Sequence, residues 1–125
     1  MGINTEHRQE RRKFPRVPVS MTVEAQDEKK IVFGYARDLS KNGLCVCANI
    51  VGENQSLPEI SQIMKITFKV PKTNQVVSSK ARVVRIDLSD QSPPVIALNF
   101  IELEHEMSQA IDRYIREFFD LHVVS

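Results

Sequence analysis

The feature that most constrains the fold is a series of six short segments in which apolar and polar residues alternate. Residues 17–25 show the pattern clearly, with apolar side chains at every second position, as in a strand with one buried face. Five further strands are predicted at residues 31–39, 44–50, 64–70, 76–88 and 95–101. Since only turn-like segments separate them, we predict an all-β fold, a six-stranded antiparallel barrel that is closed or nearly closed.

After the sixth segment the spacing of apolar residues becomes helical. The apolar stripe consists of Met107, Ile111, Tyr114, Ile115, Phe118 and Leu121. We therefore predict that the barrel extends to about residue 103 and that an amphipathic helix at about 104–121 covers part of it.

The length of 125 residues fits one domain. We expect a flexible polar tail at residues 1–10 and a single domain at 11–125. No apolar run is long enough to span a bilayer and the N-terminus is not signal-like, so we expect a cytoplasmic protein without direct membrane insertion.

The net charge is only +1, but it is unevenly distributed. Residues 1–16 carry five basic side chains against two acidic ones, whereas residues 100–125 are acidic. One local basic cluster favours a compact anionic ligand over a long polyanion, whose binding needs many phosphate contacts.

The basic cluster ends in Arg-Arg-Lys-Phe-Pro-Arg, residues 11–16, which we call the arginine strap. Pro15 excludes a helix here, and on an extended chain Arg12 and Arg16 lie on the same side, about 13 Å apart. Each guanidinium can bind a phosphate or the acceptor edge of a guanine through two hydrogen bonds. The alternative is a solvated basic tail.

A second motif, Asp38-Leu39-Ser40-Lys41-Asn42-Gly43, lies between the second and third predicted strands. The Asp38 carboxylate can accept hydrogen bonds from a guanine edge, and the Ser40 hydroxyl can serve a base or a phosphate. Gly43 allows a positive φ and a close approach of a ligand to the main chain. The alternative is an ordinary tight hairpin, which uses the same residue types.

The two motifs together resemble the PilZ domain family, over residues 11 to about 119. The family's Arg-x-x-x-Arg motif falls on Arg12 and Arg16, and its Asp/Asn-x-Ser-x-x-Gly motif falls on Asp38, Ser40 and Gly43. One departure is Ala97 in the last strand, where the family frequently has glycine.

The resemblance implies a receptor for the bacterial second messenger cyclic di-GMP that signals to a downstream protein, which the sequence does not identify. The strap would wrap the ligand against the second motif. The expected ligand-binding residues are Arg11, Arg12, Arg16, Asp38, Ser40 and Gly43, and Arg11 could help to hold a second ligand. The alternative is a PilZ-like adaptor that binds proteins and has weak or no affinity for the nucleotide.

Other functions are less compatible with the residues present. Cys45 and Cys47 are predicted to be packing residues, and without further cysteines or a nearby histidine they form no metal site. No catalytic arrangement is visible, so we expect neither an enzyme nor a cofactor.

A barrel that binds single-stranded nucleic acid would need more exposed aromatic residues than Phe14, Phe33 and Tyr35, so no nucleic-acid partner is expected. The sequence leaves the oligomeric state open, and a homodimer is compatible with the apolar residues near the C-terminus, Phe118, Phe119 and Val123.

Overall fold

The computed structural model describes residues 14–26, 31–49, 57–89 and 92–123, which form a six-stranded barrel followed by a helix. The elements are β1 (Val17–Gln26), β2 (Ile31–Ser40), β3 (Gly43–Asn49), β4 (Ile63–Lys69), β5 (Val76–Ser89), β6 (Ser92–Ile101) and α1 (His105–Val123). The predicted fold class is therefore confirmed. The predicted tail at 1–10, Arg11, Arg12, the turn at 27–30 and most of the loop at 51–59 lie outside the described residues.

The barrel is closed and antiparallel throughout. The strands follow the order β1-β2-β3-β6-β5-β4, and β1 also pairs with β4, for example Val23 with Phe68. Closure leaves no open sheet edge among these strands. The alternating apolar residues fill the interior, and the side chains of Val23, Ile66, Val77 and Val83 are at most 1 % exposed.

Two of the β-bulges in the barrel precede Asp38 on β2 and Arg85 on β5. β2 contains one extra residue, Arg37, relative to β3, and β5 contains one extra residue, Val84, relative to β6. A bulge locally shifts the alternation of side chains and bends the strand. As a result, the residues that follow the two bulges, Asp38 and Arg85, both reach the outer face of the sheet.

The helix packs its apolar stripe onto the barrel core. Ile111 and Ile115 belong to the core cluster, and Met107, Tyr114 and Phe118 pack against it as half-buried residues. Leu121, which the helical spacing placed on the same stripe, is 70 % exposed, so the buried stripe ends before it. No helix in the described part of the chain is long and apolar enough to cross a membrane.

The connection between β5 and β6 is shorter than predicted. We expected a loop at residues 89–94, but Ser89 pairs with Ser92, and Pro93 and Pro94 lie within β6. The ladder is irregular at this point, because two residues of β6 oppose a single residue, Leu88, of β5. Prolines are tolerated in strands at such bulges, where their missing N–H groups are not needed.

Candidate functional site

The hairpin between β2 and β3 is held by the residues of the second motif. Ser40 pairs with Gly43 across a turn formed by Lys41 and Asn42. The Ser40 side chain is buried, and its hydroxyl donates to the Asn42 side-chain oxygen and, at 3.3 Å, to the Gly43 carbonyl. The Asn42 carbonyl accepts from the backbone N–H of Phe100 at 2.9 Å, which ties the turn to β6.

The glycine of the motif is required by the packing of the strands and not by its backbone conformation. Gly43 does not adopt a positive φ, and neither does Asn42. Instead, a Cβ atom at Gly43 would lie 2.1 Å from the backbone carbonyl oxygen of Leu98 and 3.0 Å from the side-chain oxygen of Asn99. Another group does approach the main chain of Gly43 closely, but this group is the neighbouring strand β6 and not a ligand.

The registers of four neighbouring strands, β2, β3, β6 and β5, align the motif residues in two rows across the outer wall. The first row runs through Asp38, Cys45, Ala97 and Arg85. The second row runs through Ser40, Gly43, Asn99 and Arg82. A cavity of about 60 Å³ lies over this wall and is lined by residues of both rows and by Arg16.

Arg16 brings the end of the strap to this wall. Its Nη1 group lies 4.0 Å from the Cys45 sulfur. Two residues earlier, the Phe14 ring lies 5.9 Å from the Lys41 ammonium of the hairpin turn, within the range of a cation–π contact.

The structure thus brings together Arg16, Asp38, Ser40 and Gly43, four of the six predicted ligand-binding residues. The other two, Arg11 and Arg12, lie outside the described residues.

Arg85 is a member of the site that sequence reasoning missed. Its Nη2 group lies 3.9 Å from the Cys45 sulfur, and its Nε donates to the Asp87 carboxylate at 2.9 Å. Arg85 belongs to neither motif, and it reaches this row only because Val84 forms a bulge. Asn42 and Asn99 also line the cavity, and only Asn42 could have been suspected, from its place in the hairpin motif.

Cys45 lies beneath both arginines. It is buried, as expected of a packing residue, but it belongs to the outer wall of the site. Burial raises the pKa of its thiol above the ordinary 9.0, and the negative charge of Asp38 acts in the same direction. The positive charges of Arg16 and Arg85 oppose this rise without cancelling it. A neutral thiol does not offset the charge of the two guanidinium groups.

The site therefore presents two guanidinium groups, one carboxylate and side-chain amides on the outside of a rigid barrel. Guanidinium groups bind phosphates and the acceptor edges of guanine, and a carboxylate accepts from the N–H groups of a base. This combination suits a ligand that carries both phosphates and bases. Within the described ranges, no cluster of histidine, cysteine and acidic side chains could hold a metal ion.

Comparison with solved structures identifies proteins of the same fold. The Bacillus subtilis inhibitor of motility MotI/DgrA superposes with a TM-score of 0.73 at 18% identity, covering 90% of this chain and 53% of that one. This chain therefore spans about half the length of MotI/DgrA. The PilZ domain of YcgR from Escherichia coli, solved with c-di-GMP, gives a TM-score of 0.68 at 12% identity and covers 92% of this chain and 99% of that one.

A third neighbour is the complex of MrkH from K. pneumonia with c-di-GMP, with a TM-score of 0.67 at 13% identity, covering 91% of this chain and 55% of that one. At these identities the similarity establishes the fold alone. No curated protein matches the chain with significance. The model of the PilZ domain family, however, matches residues 10–117, which include both motifs, the whole barrel and about two thirds of the helix. The chain therefore belongs to the PilZ domain family.

Proposed function

We propose that the protein is a receptor for cyclic di-GMP. The observation that carries this proposal is that Arg16, from the strap, lines the same cavity as Asp38, Ser40 and Gly43, from the hairpin. Arg16 and the hairpin are separated by more than twenty residues in the sequence, and their shared cavity supports the proposal that they bind one ligand. The fold neighbours from E. coli and K. pneumonia, which were solved with c-di-GMP, support the choice of ligand.

The ligand would lie across the outer wall, because the cavity of about 60 Å³ is much smaller than a dinucleotide. In this arrangement Arg16 binds a phosphate or a guanine, and Asp38 accepts hydrogen bonds from a guanine edge. We assign Arg11 and Arg12 to the opposite side of the ligand, where the strap would close over it.

We further propose that ligand binding orders the strap and that a downstream protein recognises the ordered form. Residues 14–16 lie against the hairpin, and we assign the ordering step to the residues before them. Charge-assisted hydrogen bonds contribute about 1.5–3 kcal/mol each, which can offset the cost of ordering a short segment. Amide exchange in residues 8–13 should slow at saturating ligand, and unchanged exchange would contradict the ordering step.

The experiment that tests the proposed function is isothermal titration with cyclic di-GMP. We expect saturable binding by the wild-type chain and a loss of affinity of about tenfold or more for Arg12→Ala. Arg113→Ala is the matched control, because it removes an exposed arginine on α1 that lines no part of this cavity. A wild-type chain that gives no binding heat at high ligand concentration would contradict the proposal.

A second candidate is a PilZ-like adaptor that binds proteins and has little or no affinity for the nucleotide. The observation that favours it is that Ser40 and Gly43 have structural roles in the hairpin, through the bonds of Ser40 and the close approach of Leu98. The exposed Phe119 and Leu121 at the end of α1 would suit a protein partner or a homodimer. The same titration separates the two candidates, because only the receptor binds the dinucleotide.

A further inference from the structure

Besides Arg16, the part of the site that the structure describes contains a second arginine, Arg85, which belongs to neither motif. Arg85 lies on β5, at the opposite end of the first row from Asp38. Its Nη2 group and the Nη1 group of Arg16 contact the same Cys45 sulfur, at 3.9 and 4.0 Å, so the two nitrogens lie within about 8 Å of each other. The two guanidinium groups therefore converge on one point of the outer wall.

The contacts of both arginines with the Cys45 sulfur are weak ones. A thiol sulfur is a poor hydrogen-bond acceptor, and Cys45 carries no compensating negative charge. Two cations that share a neutral partner can exchange it at little cost for an anion, to which each would make a charge-assisted hydrogen bond. Such bonds are about 2.7–2.9 Å long, so a single phosphate group can span the gap between the two nitrogens.

We propose that Arg85 is a third ligand-binding arginine, which holds one phosphate of the dinucleotide together with Arg16. The inference rests on the proposed function and adds to it a residue from β5. Both arginines leave the Cys45 sulfur when the phosphate enters. The strap thus supplies one side of this phosphate subsite and the rigid barrel wall supplies the other.

Asp87 positions Arg85 for this role. Its carboxylate accepts from Nε at 2.9 Å, which leaves both Nη groups outside this ion pair, and Nη2 contacts the Cys45 sulfur that Arg16 also contacts. A lysine at the same place would keep the charge but could not donate to Asp87 and to a phosphate with the same fixed geometry. The proposal therefore requires the planar guanidinium and not only a positive charge.

The test is isothermal titration of the chain of residues 1–125 with cyclic di-GMP, for the wild type, Arg85→Ala, Arg85→Lys and the control Arg113→Ala. We expect a loss of affinity of about tenfold or more for Arg85→Ala and of about fivefold or more for Arg85→Lys. The control should stay within about twofold of the wild type. The Arg85 side chain is half exposed, so we expect both variants to fold, and their melting curves check this.

Wild-type binding combined with unchanged affinity of Arg85→Ala would overturn the inference and leave the proposed function intact. Wild-type affinity of Arg85→Lys would also overturn it, because only the net charge of the wall would then matter. If the wild-type chain itself does not bind, the proposed function fails, and the inference fails with it.

Discussion

Arg16 is the residue through which the strap reaches the barrel. It directly precedes β1, and its guanidinium lies over the wall that carries Asp38. The start of β1 is fixed by the buried Val17, so the position of Arg16 is set by the barrel. A planar donor held in this way can bind a phosphate or a guanine edge with a defined geometry.

At this scale we predict that Arg16→Lys weakens binding of cyclic di-GMP nearly as much as Arg16→Ala, by about tenfold or more. The lysine keeps the charge but loses the two parallel donors. Titration calorimetry of the two variants beside the wild type measures the effect. Wild-type affinity for the lysine variant would show that a point charge is sufficient.

At the scale of secondary-structure elements, the hairpin between β2 and β3 gives the site its shape. The turn is tied to β6 through the Asn42 carbonyl, and Gly43 lets the β6 backbone approach. The hairpin therefore acts as a rigid base for the site, and its conformation depends on a strand more than fifty residues further along the chain.

We predict that Gly43→Ala destabilises the fold by about 1–3 kcal/mol, because the added methyl group would collide with the backbone of Leu98 and the strands must separate to admit it. Urea unfolding measures the change in the free energy of unfolding. Asn74→Ala, at an exposed turn position, serves as control and should stay within about 0.5 kcal/mol of the wild type. A Gly43→Ala variant as stable as the control would show that β6 moves freely here.

The strands and the helix were predictable from the sequence wherever the spacing of apolar residues alone determines the type of element. Strict alternation in β4, with Met64, Ile66 and Phe68 buried, predicts a strand with one inner face, and helical spacing predicts α1. The two bulges carry no such signal, because an extra residue such as Val84 looks like any other residue in an apolar strand. Arg85 was therefore missed, while the four residues that the motifs identified and the structure describes do share one cavity.

At the scale of the whole molecule, the barrel and the helix share one hydrophobic core. Ile111 is fully buried among barrel residues, and Ile115 is 5 % exposed. The helix is therefore part of the folding unit that supports the site. Near its end the helix leaves Leu121 70 % exposed.

We predict that Ile111→Ala lowers the free energy of unfolding by about 2–5 kcal/mol, the usual range for a large side chain removed from a core. Leu121→Ala is the matched control on the same helix and should change it by less than about 0.5 kcal/mol, because Leu121 is exposed. Chemical denaturation of both variants checks the prediction. Equal effects would mean that the helix does not pack on the barrel through Ile111.

The most direct test of the central claim is backbone NMR of the labelled chain during titration with cyclic di-GMP. The claim is that the strap and the hairpin wall hold one ligand together. We expect the amide signals of residues 11–14, 16, 38–45, 84–87 and 97–99 to shift with a single common midpoint, while those of α1 around Arg113 shift little. Shifts confined to α1 and the neighbouring turn at residues 71–75, or no shifts in the strap, would contradict the account.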